Sequence, residues 1–231
     1  MELTKRRFAI GPVLRLTSIL MVVAARAATA QPRYDVVIHG GRIVDGTGAP
    51  WYHADLGIRD GKVIAIGRIA PGEGRRGIEA TGKVVAPGFI DMMGQTAAPF
   101  IADPATAFNL LSQGITTLNA GEGGSDAPLA GKEAIDRGWR TMRQFLDRLD
   151  QVGLPMNMVQ TVGLTQIREI VIGDTDRQAT TAELEAMRGY VREAMEAGAI
   201  GVSTSLIYPP AIYASESEIT ELDRKSTRLN S

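Results

Sequence analysis

The chain has 231 residues and a formal net charge of −1, which gives no reason to expect a nucleic acid or an anionic membrane as partner. It has no cysteine, so disulfides and thiolate zinc sites are excluded. His39 and His53 are its only histidines, and a His-rich zinc centre cannot be built from them alone.

The N-terminus reads as an export leader. Lys5, Arg6, Arg7 and Arg15 form a basic lead, Leu16 to Ala25 an apolar core, and Ala28-Thr29-Ala30 an A-x-A cleavage site before Gln31. The apolar run is too short to span a bilayer. Residues 1–30 are therefore expected to be a signal peptide. The mature protein is expected to be exported, to a periplasm, with no stable membrane association once the leader is removed. An uncleaved anchor is the alternative.

Residues 31–85 read as a small β domain. Val36-Val37-Ile38 and Arg42-Ile43-Val44 flank Gly40-Gly41. Asp55 to Ile58 and Lys62 to Ile66 flank Arg59-Asp60-Gly61, and Asp-Gly is a strong hairpin signal. Pro71 to Gly77 reads as a loop. Ile78-Glu79-Ala80 and Val84-Val85 flank Thr81-Gly82.

From Pro87 the pattern changes to strands alternating with helices, the sign of a parallel sheet. A buried strand is expected from Val84 towards Asp91, and a helix over Pro104–Gln113, closed by Gly114. A strand follows over Ile115–Leu118, then an amphipathic helix over Arg137–Asp150 ending before Gly153. Met156–Val159 is the next strand. Thr180 and Glu183 form a capping box for a long helix that buries Leu184, Met187, Val191 and Met195 and stops at Gly198. Ala199–Ser203 is a strand, and Ser215 with Glu218 opens another helix. Asp223–Ser231 back-translates into a common sequencing adapter, so natural sequence is expected to stop near Leu222.

The stretch Lys83-Val84-Val85-Ala86-Pro87-Gly88-Phe89-Ile90-Asp91 resembles the strand that opens the barrel of the amidohydrolase superfamily, in its D-aminoacylase-like branch. Gly201-Val202-Ser203-Thr204-Ser205-Leu206-Ile207-Tyr208-Pro209-Pro210 resembles that branch's substrate loop. The resemblance covers roughly residues 34–222. It implies an α/β fold: a small β-sandwich domain followed, over residues 86–222, by about the first four strands of a (β/α)8 TIM barrel. That barrel would be incomplete at the C-terminus, since a whole one takes roughly 250 residues.

In such a barrel the chemistry sits at the carboxyl ends of the strands. At the first end the family carries His-x-His, two metal ligands; here Met93 and Gln95 stand there, beside Asp91. At the second the family's Gly-Asn-Cys-Gly holds a cysteine ligand. Here Gly123 takes the cysteine position and Glu122 precedes it. At the third, Leu164 replaces a histidine and Arg168 is kept, as a carboxylate binder or, more plainly, a surface ion pair. At the fourth, Tyr208 would hydrogen-bond the substrate, supported by Ser203 and Thr204. The resemblance thus implies a divalent metal, zinc, to which this chain can offer Glu122 and Asp91. Each acid also reads as an ordinary strand-end or loop carboxylate, and Tyr208 as a rim aromatic. Both histidines read as structural.

No Gly-x-Gly-x-x-Gly stands at a strand–helix junction and there is no Walker loop. The implied activity is metal-dependent hydrolysis of a carbon–nitrogen bond in a small-molecule amide, as in N-acyl-D-amino-acid deacylases. The proton-shuttling aspartate and further histidine ligands would come from later strands, so the chain alone is expected to be inactive. A metal-free ligand-binding relative and a scaffold protein are the competing readings.

Overall fold

Asp60 takes φ 51° and Gly61 φ 71°, the left-handed pair that a two-residue hairpin turn requires. They join β2 (Tyr52–Arg59) to β3 (Lys62–Gly67) antiparallel, in a computed structural model that describes residues 32–229. The expected leader lies outside the described residues. β2 pairs antiparallel with β1 (Tyr34–Ile43), while β4 (Gly74–Glu79) and β5 (Val84–Val85) both run parallel to β1. The result is one five-stranded sheet.

Three expectations change in this sheet. Gly40-Gly41 does not separate two strands; it is a bulge inside β1, where the pairing with β2 slips between Ile38 and Gly41. Gly40 has φ +68°, and a Cβ on it would lie 2.7 Å from Thr81 Oγ1, so the bulge gives the Thr81 turn room against β1. That turn closes no hairpin, because the strands on either side of it are successive parallel partners of β1. The loop expected to reach Gly77 ends where β4 begins, at Gly74. Tyr34, Val37 and Ile69 form a small buried cluster. Asp55 accepts from the N–H groups of Gly40 at 2.8 Å and Ile69 at 3.0 Å. Burial works to raise its carboxyl, but these two donors and His39 outweigh it and hold the group below the usual range.

The chain divides into two compact units, one ending at Pro87 and the other starting at Gly88. The strand expected over Val84–Asp91 is therefore two. Proline has no N–H to give a ladder, so β5 ends before Pro87 and β6 (Phe89–Gly94) starts after it. Nor is β6 buried: Phe89, Ile90, Met92 and Met93 are each more than half exposed. β6 pairs with β7 (Ile115–Ala120), and β7 with β8 (Asn157–Gln160), all parallel. β9 (Val162–Gly163) pairs parallel with β10 (Val202–Ser203). Backbone hydrogen bonds make these neighbours continuous: Thr161 donates to Ala120 O at 2.9 Å, Ile200 to Gln160 O at 2.9 Å, and Val162 to Gly201 O at 3.0 Å. Parallel segments thus lie side by side in chain order, as right-handed β-helix-β connections produce.

The helices differ from expectation in three places. The helix expected over Pro104–Gln113 runs as a 3₁₀ turn (Pro104–Ala107) that continues directly into α2 (Phe108–Leu111), and a short helix, α1 (Ala98–Ala102), precedes it. Asp103 is extended and accepts from Ala105 N at 2.9 Å, restarting the chain as an N-cap. The helix expected over Arg137–Asp150 starts late: Arg137 is the last residue of a separate helix, α3 (Gly131–Arg137), and α4 (Met142–Val152) begins only after a link. Gly138 stops the first in the left-handed region at φ 84°, and Thr141 caps the second. Trp139 had matched the helical spacing, yet it lies in the link and donates its Nε1–H to Asp126 O at 2.7 Å. Finally, the strand end expected over Val162–Arg168 passes at once into a helix, α5 (Leu164–Val171).

α6 (Thr181–Ala197) has the expected capping box and stops at Gly198; α7 spans Glu216–Leu229. Among the described residues no helix is long and apolar enough to cross a membrane. The core of this unit joins Leu118 and Val162 from the sheet to Met142, Phe145, Ile167, Met187, Val191 and Leu222 from the helices. Each such side chain contributes about 1.5–3 kcal/mol when buried.

The α6 cap carries a pH dependence. The Arg177 guanidinium, then the Thr180 N–H and hydroxyl, hold the Glu183 carboxyl far below its ordinary 4.5, against a small opposing effect of burial. The folded value is depressed, so this contribution is complete above the ordinary value and is lost as pH falls below it. Glu183→Gln is expected to melt below the parent protein near neutral pH. The gap should narrow in melts recorded from about pH 6 down to about pH 3, and a gap independent of pH would refute the assignment.

Candidate functional site

The carboxyl ends of β6, β7, β9 and β10 converge on one cleft of about 710 Å³. β6 supplies Met93 and, just past its end, Gln95 and Thr96. The loop after β7 supplies Glu122, Gly123 and Gly124. Thr165 enters from the first turn of α5, and Ser205, Ile207 and Tyr208 from the loop after β10. Glu122 and Tyr208, far apart in sequence, therefore face the same space.

The loop after β7 is held by its own backbone. Gly121 N donates to Gln95 O at 3.2 Å, Glu122 N to Gly94 O at 3.3 Å and Gly124 N to Glu122 O at 2.9 Å. Gly123 N donates to Ser203 Oγ at 3.2 Å, while the Ser203 hydroxyl donates to Gly121 O. Gly123 O accepts from Thr165 N at 3.2 Å. The amides of residues 121 to 124 are thus all engaged within the protein, and none is left to act as an oxyanion donor. Glu122 is carried at the crest of this loop, half-buried, and its carboxylate makes no hydrogen bond or ion pair with a described residue.

The five residues singled out from sequence have different fates. Glu122 and Tyr208 line the cleft. Ser203 does not; its hydroxyl staples the Gly121–Gly123 loop. Thr204 is exposed outside the cleft. Asp91 is also outside it, its Oδ1 accepting from Met93 N at 2.9 Å. Side chains alternate along a strand, so Asp91 and Met93 can share a face while only the later one reaches the end. Arg168 is not a surface residue: it is fully buried, its Nη1 2.7 and 2.6 Å from the two carboxylate oxygens of Glu218 and its Nη2 2.9 Å from Arg177 O. His39 and His53 lie in the other unit, His53 edge-on to Trp51.

Sequence reading overlooked Thr165, Ser205 and Thr96. Thr165 opens a helix whose spacing, Leu164-Ile167-Val171, was available as a signal. Ser205 is recognisable only from its neighbour. Gly123 has φ +73°, and a Cβ there would lie 2.4 Å from Ser205 Cβ. Thr96 Oγ1 donates to the Asp126 carboxylate, 2.7 Å from Oδ1, and Asp126 Oδ2 also accepts from Ala97 N at 2.7 Å and Ala98 N at 3.2 Å.

The described residues do not fit a zinc site. Zinc takes several Cys, His or carboxylate ligands in a tight tetrahedron. No group of three or more His, Cys, Asp or Glu among the described residues stands close enough to share an ion. The cleft offers one carboxylate, Glu122, with a thioether and an amide, poor partners for zinc.

No family model matches the chain. Among curated proteins it is 38% identical to an N-acyl-D-aspartate deacylase of Alcaligenes xylosoxydans xylosoxydans over 205 residues, 84% of this chain and 41% of the relative. It is 35% identical to a D-aminoacylase of the same organism over 206 residues, 84% of this chain and 42% of the relative. Among solved structures, an N-acyl-D-glutamate deacylase from Bordetella bronchiseptica, complexed with zinc and a phosphonate inhibitor, superposes with a TM-score of 0.78 at 36% identity. That match covers 85% of this chain and 43% of that one. The chain therefore spans about two fifths of the length of the curated relatives it matches. Across that span it belongs to the amidohydrolase superfamily, among the relatives of D-aminoacylase and the N-acyl-D-amino-acid deacylases.

Proposed function

We propose that this chain forms part of a hydrolase that cuts the amide carbon–nitrogen bond of a small N-acylated D-amino acid. The observation that carries this reading is the convergence of Glu122 and Tyr208, from the ends of β7 and β10, on one cleft. In this reading the parallel segments are the opening strands of a (β/α)8 barrel over residues 86–222, and the cleft is its carboxyl-end face. The sheet of residues 31–85 is one layer of a β-sandwich. Its exposed Val63, Ile64 and Ile66 are the surface that a facing layer would cover. Residues 1–30 are a signal peptide directing export to the periplasm, and residues 223–231 a tail foreign to the natural protein.

Within the cleft, the Tyr208 hydroxyl donates to the substrate carbonyl or carboxylate, and the stapled loop holds Glu122 at the substrate's edge. The relatives point to a divalent metal, zinc in the solved deacylase complex. Its ligands would have to come mainly from residues other than those described, with Glu122 contributing at most one.

A second reading, a ligand-binding relative that needs no metal, is favoured by Met93, Gln95, Gly123 and Leu164 at the positions where the resemblance places ligands. One experiment decides between them: metal content and turnover of N-acetyl-D-amino acids by the purified full-length protein. Stoichiometric metal with turnover is the expected result. Binding of these ligands with neither metal nor turnover would overturn it in favour of the second reading.

A further inference from the structure

One buried group is tied to three segments around the Tyr208 side of the cleft. Arg168 is fully buried and stands one turn along α5 from Thr165, which lines the cleft and donates its N–H to Gly123 O. Its Nη1 meets both carboxylate oxygens of Glu218, and its Nη2 donates to Arg177 O in the link between α5 and α6. The next residue of that link, Gln178, donates its side-chain amide to Tyr213 O at 3.2 Å. From Tyr208 to Glu218 the chain is itself a relay of hydrogen bonds. Ile212 N donates to Tyr208 O at 3.0 Å, Tyr213 N to Pro210 O at 3.2 Å and Ala214 N to Ala211 O at 3.0 Å. Glu218 N closes the relay on Ser215 Oγ at 3.2 Å. A displacement of Glu218 is thereby passed back to Tyr208.

We propose that Arg168 and Glu218 are positioning residues: their ion pair holds the arm of residues 208–218 so that Tyr208 stays on the cleft that Thr165 and Glu122 line. What Tyr208 does to a substrate there rests on the deacylase reading; that the pair holds it there does not. A buried ion pair is a poor source of net stability, since two apolar side chains of similar volume hold a core as well. The planar guanidinium fork supplies direction instead, which apolar contacts do not.

The test uses the full-length protein, Arg168→Met/Glu218→Leu, Tyr208→Phe, and all three changes combined. Hydrogen exchange read by mass spectrometry follows the arm without needing a ligand. In the parent, residues 208–214 should be as well protected as α5. In Arg168→Met/Glu218→Leu their exchange should quicken by about tenfold while Met142–Val152 exchanges as slowly as in the parent. With N-acetyl-D-methionine as probe, KM should rise by about tenfold and kcat stay within about twofold, because only a fraction of molecules then present Tyr208 in place. Tyr208→Phe should raise KM by itself, and the pair change should add nothing further in that background. Additive effects on KM would show that the pair does not act through Tyr208 and would overturn the proposal. So would an unprotected arm in the parent, or exchange that quickens equally in the arm and in α4. If the parent neither binds the probe by calorimetry nor turns it over, the deacylase reading falls, and the exchange pattern alone decides whether the pair positions the arm.

Discussion

Replacing Glu218 by alanine is expected to destabilise the protein by about 3–5 kcal/mol, because it strands a buried positive charge. The Arg168 side chain is fully buried and that of Glu218 is 3% exposed. Arg168 Nη1 sits within hydrogen-bond distance of both carboxylate oxygens, and Nη2 donates to Arg177 O. Arg168 Nε is buried with no partner among the described residues, so the guanidinium has no reserve once the carboxylate is gone. The pair links α5, which begins at the cleft, to α7, which follows the Tyr208 loop. Urea denaturation of Glu218→Ala, Arg168→Met and the double variant Arg168→Met/Glu218→Leu would measure this. Each single change should lower the midpoint steeply. The double change, which removes both charges together, should recover most of the loss. A loss in the double variant equal to the sum of the two single losses would show that the pair is not coupled.

Gly123→Cys is the second change with a large expected effect, and it also asks a chemical question. The resemblance puts a zinc-binding cysteine at this position, so the substitution looks like a restoration. In this fold it is not one. At φ +73° a residue with a Cβ is strained by about 1–2 kcal/mol. The added Cβ would also lie 2.4 Å from Ser205 Cβ and 3.0 Å from its Oγ, an overlap that costs about 1–3 kcal/mol more to relieve. A single thiolate beside Glu122 still lacks the further ligands that zinc requires. The expected outcome is a protein less stable by about 2–5 kcal/mol that gains no metal, with Gly123→Ala showing a similar loss. Adding Ser205→Gly should return the overlap part and leave the backbone strain. A stable Gly123→Cys protein holding stoichiometric zinc by elemental analysis would contradict both the crowding at position 123 and the misfit of the described residues to zinc.

The two clearest sequence signals acted over a few residues, and so they survived into the structure. Asp60-Gly61 needs only its own backbone angles to make a hairpin. Thr180 and Glu183 need only each other to start a helix. One failure came where a local pattern had to compete with a distant contact, another where a proline inside the pattern was passed over. Trp139 kept helical spacing with Phe145, yet its indole found Asp126 O, and Gly138 ended the helix before it. Val84–Asp91 looked continuous because apolar residues cross it, but Pro87 interrupts the ladder there.

The candidate site divides in the same way. Glu122 and Tyr208 could be picked out from residue type and from their places at strand ends. Nothing in the order of residues says that they share a cleft, because that depends on how the loop after β7 is pinned to β10. Sequence alone places Ser203 as a support for Tyr208 at the substrate; in the structure it is a staple, since its hydroxyl bridges Gly121 O and Gly123 N. Arg168 was read as a surface charge. The helix that buries it could be seen in the spacing of Leu164, Ile167 and Val171, but its partner lies on α7, fifty residues away.

The amino-acid order by itself determined the family, the alternation of strands and helices after Pro87, and the absence of cysteine and of any histidine beyond His53. These are properties of residue type and short-range spacing, which need no knowledge of what packs where. Tertiary structure alone decided that Glu122 stands free in the cleft while Asp91 and Thr204 do not, and that position 123 has no room for a ligand-bearing side chain. Those outcomes depend on the approach of the Ser205 loop to the β7 loop, a matter of ångströms between segments some eighty residues apart. Direction and distance of that kind arise only when the parallel strands line up and bring their ends together.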